Sequence, residues 1–163
     1  MIYAGVGSRK TPENILTIMI EIGRRMAEKG NILRSGGAYE ADTAFELGCV
    51  RAKGKKEIFY ANDWSYDAMN IASSLHPNWK ACTFYAKQLH AKNAFQILGR
   101  DLKTPCDYMI CWTPDGCKTH KERSIRTGGT GTAISIADKY GVKVYNLKRP
   151  DDLIFIQGVI TCL

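Results

Sequence analysis

The sequence predicts an α/β fold, a Rossmann-like three-layer sandwich with a mainly parallel sheet. Three observations predict it. Short apolar segments alternate with stretches of helical periodicity along the chain. Three loops rich in small or cationic residues each carry the chain from a predicted strand into a predicted helix. No internal repeat, low-complexity tract or Pro/Gly/Ser-rich linker divides the 163 residues, so they are read as a single domain. Strands alternating with helices through short turns lie side by side in parallel. Helices then cover both faces, with right-handed crossovers.

The elements follow in order. Residues 2–6 read as the first strand. Thr11, Pro12 and Glu13 supply an N-cap, a proline at the first helical position and an acidic first turn. Ile15, Ile18, Met19, Ile22 and Met26 continue at helical spacing, and Gly30 stops the helix. Residues 31–34 form a short second strand, and residues 41–52 a second helix whose Ala44 and Gly48 allow close packing. Residues 56–60 make the third strand. The segment 61–82 is the least patterned, with one short helix over 66–74 and a loop at His76-Pro77-Asn78. A longer helix spans Phe84–Leu98. Residues 107–112 are apolar on both faces and so form a central strand. A helix follows Thr132 and runs to Tyr140, where Gly141 ends it, and residues 142–147 are the last strand.

Composition narrows the function classes. Hydrophobic residues at 45% and charged residues at 24% give an ordinary globular balance, long enough a chain for a core without disulfide staples. No apolar run approaches the roughly 18 residues of a membrane span, and the first residues lack the pattern of a signal peptide, so a cytoplasmic protein with no membrane partner is expected. The six cysteines form no C-x-x-C pair and read as reduced thiols. Cys111, Cys117 and His120 match no usual zinc spacing, so neither metal nor cofactor is expected. The formal charge of +7 favours phosphate-bearing partners. Its densest run, residues 118–126, directly precedes a glycine cluster, although no aromatics interleave it for base stacking.

The chemistry is expected at the three loops: Gly5-Val6-Gly7-Ser8-Arg9, the stretch from Arg34-Ser35-Gly36-Gly37 to Asp42, and Gly128-Gly129-Thr130-Gly131-Thr132. Each can present unpaired amides at a helix N-terminus, where the macrodipole favours an anion. Glycine lets the backbone approach a phosphate, hydroxyls add donors, and Arg9 and Arg34 offer two-pronged guanidinium contacts. All three loops fall at the carboxyl edge of the sheet, where ligands of open parallel sheets bind. Neither a Walker A sequence nor a G-x-G-x-x-G fingerprint is present, which disfavours ATP hydrolysis and ordinary NAD oxidoreduction.

These loops together resemble the SMF/DprA–LOG (SLOG) superfamily of Rossmann-like nucleotide-binding proteins. The segment 90–102 and Cys111-Trp112-Thr113-Pro114-Asp115-Gly116 narrow the resemblance to the short DprA-like proteins of phages. The likeness covers residues 1–148. It implies a homo-oligomer and three roles. One is binding of a nucleotide or nucleotide-derived ligand, sequestering or sensing a signal. Another is N-glycosidic cleavage of nucleoside 5′-monophosphates, and the third is single-stranded DNA binding in recombination.

The chain departs from the hydrolase pattern. Thr127 stands at the proline position of that motif, and Ile134 and Ser135 stand where its carboxylates belong. Losing those carboxylates removes stabilisation of an oxocarbenium-like state, which Glu40, Asp42 or Glu122 would have to supply. Glu40 occupies a slot where a glycine is usual in the family. DprA-like DNA loaders carry further domains around such a core, and this chain has no room for them. His90 and Asn93 share one helix face, which the resemblance turns toward the ligand. Trp64 with Tyr66 is the best aromatic for a base. The reading that results has Gly7, Ser8, Gly36, Gly37, Gly129, Thr130, Gly131 and Thr132 cradling phosphate, with Ser35, Arg9 and Arg34 assisting and Asp42 orienting a ribose hydroxyl or bracing a loop.

Overall fold

A computed structural model describes residues 1–162. Five strands, β1 (Ile2–Gly5), β2 (Ile32–Ser35), β3 (Lys56–Ile58), β4 (Tyr108–Cys111) and β5 (Lys143–Asn146), form one sheet in the order β3-β2-β1-β4-β5. Every pairing is parallel, with Tyr3 opposite Leu33 on one side and Tyr108 on the other. Six helices flank it: α1 (Glu13–Glu28), α2 (Ala41–Arg51), α3 (Tyr66–Leu75), α4 (Phe84–Leu98), α5 (Thr130–Lys139) and α6 (Pro150–Thr161). The expected three-layer α/β sandwich with a parallel sheet is what the chain forms. No helix among the described residues is long and apolar enough to cross a membrane.

The period of two along each strand sorts the core into two layers. Tyr3, Leu33 and Ile110 pack with Met19 and Ile22 of α1, Phe45 of α2 and Ile156 of α6. Their neighbours Ala4 and Met109 face the other way, against Phe95 and Leu98 of α4 and Ile134 and Ile136 of α5. The strand order reverses beside β1, because β2 and β3 extend the sheet on one side of it while β4 and β5 extend it on the other. Such a reversal leaves a crevice beyond the carboxyl ends of the two strands concerned, here β1 and β4.

Several boundaries differ from expectation. Thr11 does not cap α1: its hydroxyl donates to the Ser8 carbonyl at 2.6 Å, and Pro12 takes the cap position without a side-chain bond. The helix α5 begins at Thr130, so the last three of the five residues of the third glycine cluster are already helical. Helix α6 was not anticipated, although Pro150 in its first turn and Asp151 and Asp152 beside it are helix-start residues. Its apolar residues do not keep to one stripe, since Ile154 and Phe155 stay exposed while Ile156 and Ile160 are buried.

Candidate functional site

A cavity of about 330 Å³ opens at the crevice between the ends of β1 and β4. The first turn enters it through Gly7, Ser8, Arg9 and Lys10. Val6 N–H donates to the Ile110 carbonyl and Ser8 N–H to the Trp112 carbonyl, both at 3.1 Å, which straps this turn to the end of β4. The Ser8 hydroxyl accepts the Lys10 amide at 3.1 Å. The amides of Gly7 and Arg9 donate to no acceptor among the described residues. Position 7 must lack a side chain, because a Cβ there would lie 2.4 Å from Ala41 Cβ at the start of α2.

From the third turn, Gly129 and Thr130 line the cavity, and their amides also lack acceptors among the described residues. Thr127 fixes this turn by donating its hydroxyl to Asp115 at 2.5 Å and accepting the Ser124 amide at 2.9 Å. Gly131 and Thr132 stand behind the wall instead of in it. A Cβ on Gly131 would fall 2.5 Å from Nε of Arg123, so this glycine seats a guanidinium. The Thr132 hydroxyl accepts from that guanidinium at 3.1 Å and pairs with Nδ1 of His90 at 2.9 Å.

The second turn corrects the sequence reading. Gly36 N–H donates to Asp42 Oδ2 at 3.1 Å, Ala38 N–H reaches the same oxygen at 3.5 Å, and Gly37 N–H donates to Glu46 at 3.0 Å. The protein's own carboxylates thus occupy the amides expected to hold phosphate, and only Ala38 and Asp42 of this turn reach the cavity. Ser35 is fully buried with its hydroxyl toward the Asp42 carbonyl at 3.5 Å. Arg34 turns away altogether: only 3% exposed, it pairs with Glu57 at 2.6 Å and donates to the Thr104 carbonyl at 2.6 Å. A strand residue alternates faces and neighbours, and Arg34 lies on β2 with β3 beside it, so Glu57 takes its charge. Glu40 is exposed and absent from the cavity wall, with φ at 74°. Glu122 is held by Arg149 at 3.0 Å.

Helix α4 supplies the far wall. Ala86, Leu89, His90 and Asn93 follow the spacing of one helix face, and all four line the cavity. His90 and Asn93 were expected there. Ala86 and Leu89 were not singled out, although the same spacing from His90 points to them. They give an apolar surface, and Trp64 and Tyr66, proposed from sequence for a base, pack instead on each other at 5.3 Å outside the wall. Asn93 Nδ2 donates to the Gly129 carbonyl at 3.4 Å.

Charge at the cavity is mixed. Arg9 and Lys10 bring cations from the first turn. Lys92, 7% exposed, donates to the Gly36 carbonyl at 2.7 Å, and burial pushes its ammonium below its usual range. Burial pushes Asp42 up to about 6, against the opposing pull of Lys92 and of the two amides it accepts. His90 is pushed down to about 4, chiefly by burial and then by the neighbouring His76 and Arg123. It is therefore neutral at physiological pH and contributes a hydrogen bond in place of a charge.

A second cavity of about 240 Å³ adjoins the first, sharing His90 and Gly129 and adding His76, Arg123 and Gly128. Beside it His76, Cys82 and His90 bring three potential metal ligands together. Cys111 and Cys117 are buried and distant in role from this group, with Cys117 donating to the Thr119 carbonyl and His120 paired to Ser135. No protein-family model, curated protein sequence or solved structure matches the chain.

Proposed function

We propose that the protein binds a nucleotide or nucleotide-derived phosphate ligand in the larger cavity, as a sequestering or sensing protein. The observation that carries this reading is the convergence of unpaired amides from two separate turns, Gly7 and Arg9 on one side and Gly129 and Thr130 on the other. Gly7 is half-buried and Thr130 buried, where amides are almost always paired, so these two, left open beside a cavity, are receptors for an acceptor, and the exposed Arg9 and Gly129 add amides at its mouth. Thr130 opens α5, which adds the positive end of a ten-residue helix, and Arg9 and Lys10 add full charges. The apolar face of Ala86 and Leu89 suits a ring, and about 330 Å³ falls within the roughly 300–1,000 Å³ of small-molecule sites.

The direct test is Gly129→Pro. The backbone at Gly129 already has φ −61°, which proline adopts, so the change deletes one amide donor without disturbing the turn. A charge-assisted hydrogen bond is worth about 1.5–3 kcal/mol, so affinity for a nucleoside monophosphate should fall about tenfold or more in calorimetric titration. Undiminished affinity with an unchanged melting temperature would overturn the assignment.

A second reading is N-glycosidic hydrolysis of a nucleoside 5′-monophosphate, and one observation favours it. Asp42 is the acidic residue on the cavity wall, and its raised proton affinity suits a general acid. Release of free base, lost in Asp42→Asn, would establish that role. Intact nucleotide after long incubation supports the binder, and preferential competition by oligonucleotides would instead indicate single-stranded DNA.

A further inference from the structure

We infer that His76, Cys82 and His90 form a binding site for a borderline-soft divalent metal ion of the zinc class, with an open fourth position. His76 follows the last residue of α3, Cys82 follows a single 3-10 turn at Trp79–Ala81, and His90 lies in the second turn of α4. The Thr83 hydroxyl, one residue after Cys82, caps α4 by accepting the Ala86 amide at 3.2 Å.

One donor atom from each of the three side chains lies within 4.8 Å of the other two. The Cys82 sulfur is 3.8 Å from Nε2 and 3.9 Å from Nδ1 of His76, and the two imidazole centroids are 4.3 Å apart. Bonds of about 2.0–2.3 Å in a tetrahedral site separate the ligand atoms by roughly 3.3–3.6 Å. Side-chain rotation of about an ångström therefore closes the set around an ion. Among the described residues no carboxylate joins the group, and the sulfur finds only the Asn78 carbonyl at 3.6 Å besides His76. One thiol and two imidazoles select zinc-like ions over magnesium or calcium, which require oxygen ligands.

Three protein ligands with an open position define an exchangeable site, whereas a structural site closes with four. The second cavity lies against His76 and His90 and holds Arg123. Among the described residues that guanidinium bonds only to neutral oxygens, the Leu75 carbonyl at 3.3 Å and the hydroxyls of Thr132 and Ser135 at 3.1 and 3.4 Å. Its charge opposes a bare dication and so selects an anionic oxygen, such as hydroxide or phosphate, as the fourth ligand. On binding, the thiol proton of Cys82 leaves to solvent. His90 coordinates through Nε2 with its imidazole proton on Nδ1, where Thr132 Oγ1 accepts it at 2.9 Å, and His76 coordinates through Nδ1, which gives up the Asn78 amide it accepts at 3.1 Å, while its proton stays on Nε2.

Metal titration of chelator-treated protein tests this without any nucleotide. One equivalent of zinc should bind, magnesium should not compete, and cobalt should give a thiolate charge-transfer band. Cys82→Ala and His76→Ala should each weaken zinc binding by about a hundredfold or more, beyond the roughly 10–100-fold cost of losing an outer-shell partner. On the unaltered protein, zinc should shield half-buried Cys82 from alkylation while exposed Cys162 reacts unchanged. Absence of stoichiometric binding, full affinity in either variant, or undiminished alkylation of Cys82 would overturn the site.

Discussion

Asp42 clasps the amides of Gly36 and Ala38 from a position only 2% exposed, and its ionisation should register in stability. Its folded-state value of about 6 lies above the ordinary 3.8. The native state therefore holds a proton that the unfolded chain has released across that interval. The resulting stabilisation is complete below about pH 4 and is lost as the pH rises through about 6, at most about 3 kcal/mol. Asn at this position keeps an acceptor oxygen but does not titrate. The stability of Asp42→Asn relative to the parent should thus increase between pH 4 and 6 in denaturant titrations, and a constant difference would refute the assignment. Glu40 illustrates a different cost. Its φ of 74° with ψ −107° strains any residue with a side chain, by about 1–2 kcal/mol. Glu40→Gly should therefore raise unfolding stability by about 1 kcal/mol and leave ligand affinity intact, since Glu40 does not touch the cavity. A loss of binding would return this carboxylate to the site. The unusual residue was legible in the sequence; the strained backbone beneath it was not.

Helices α1 and α2 meet through a pair of glycines. A Cβ at Gly48 would lie 1.9 Å from the Ile20 carbonyl oxygen, and one at Gly23 would lie 2.2 Å from that of Phe45. Both obstacles are backbone, which cannot rotate away. Gly48→Ala should cost about 3 kcal/mol, measured by chemical denaturation, through separation of the two helices. The close packing expected from Ala44 and Gly48 rested on residue size, which sequence displays directly. Helix α1 was equally readable because its apolar residues follow one stripe, whereas α6 exposes apolar residues on more than one side. The basic run at 118–126 is dispersed by folding. Lys118 pairs with Asp152 at 2.8 Å, Arg123 turns inward against Thr132, and Arg126 reaches the Pro114 carbonyl at 3.4 Å. A linear cluster of charge did not become one surface.

Across the whole molecule, the excess of +7 favours anionic ligands at long range, while Arg9 and Lys10 act within the cavity. Affinity for a phosphate ligand should fall as salt is raised, and Arg9→Ala with Lys10→Ala should flatten that dependence while weakening binding. An unchanged slope in the double variant would place the ligand elsewhere. The alternation of strands and helices determined the layered α/β architecture by sequence alone, because periodicity dictates which face each element buries. Sequence also brought Gly7, Arg9, Gly129 and Thr130 into one site, since turns at the same sheet edge lie close together, while the spacing of His90 and Asn93 set both on one helix face. Only the tertiary structure decided which amides remain open. Asp42 and Glu46 close the second turn, Glu57 removes Arg34, and His76, Cys82 and His90 meet across a spacing that matches no linear pattern. Hydrogen bonds and ion pairs are chosen by distance in space, and separation along the chain does not encode it.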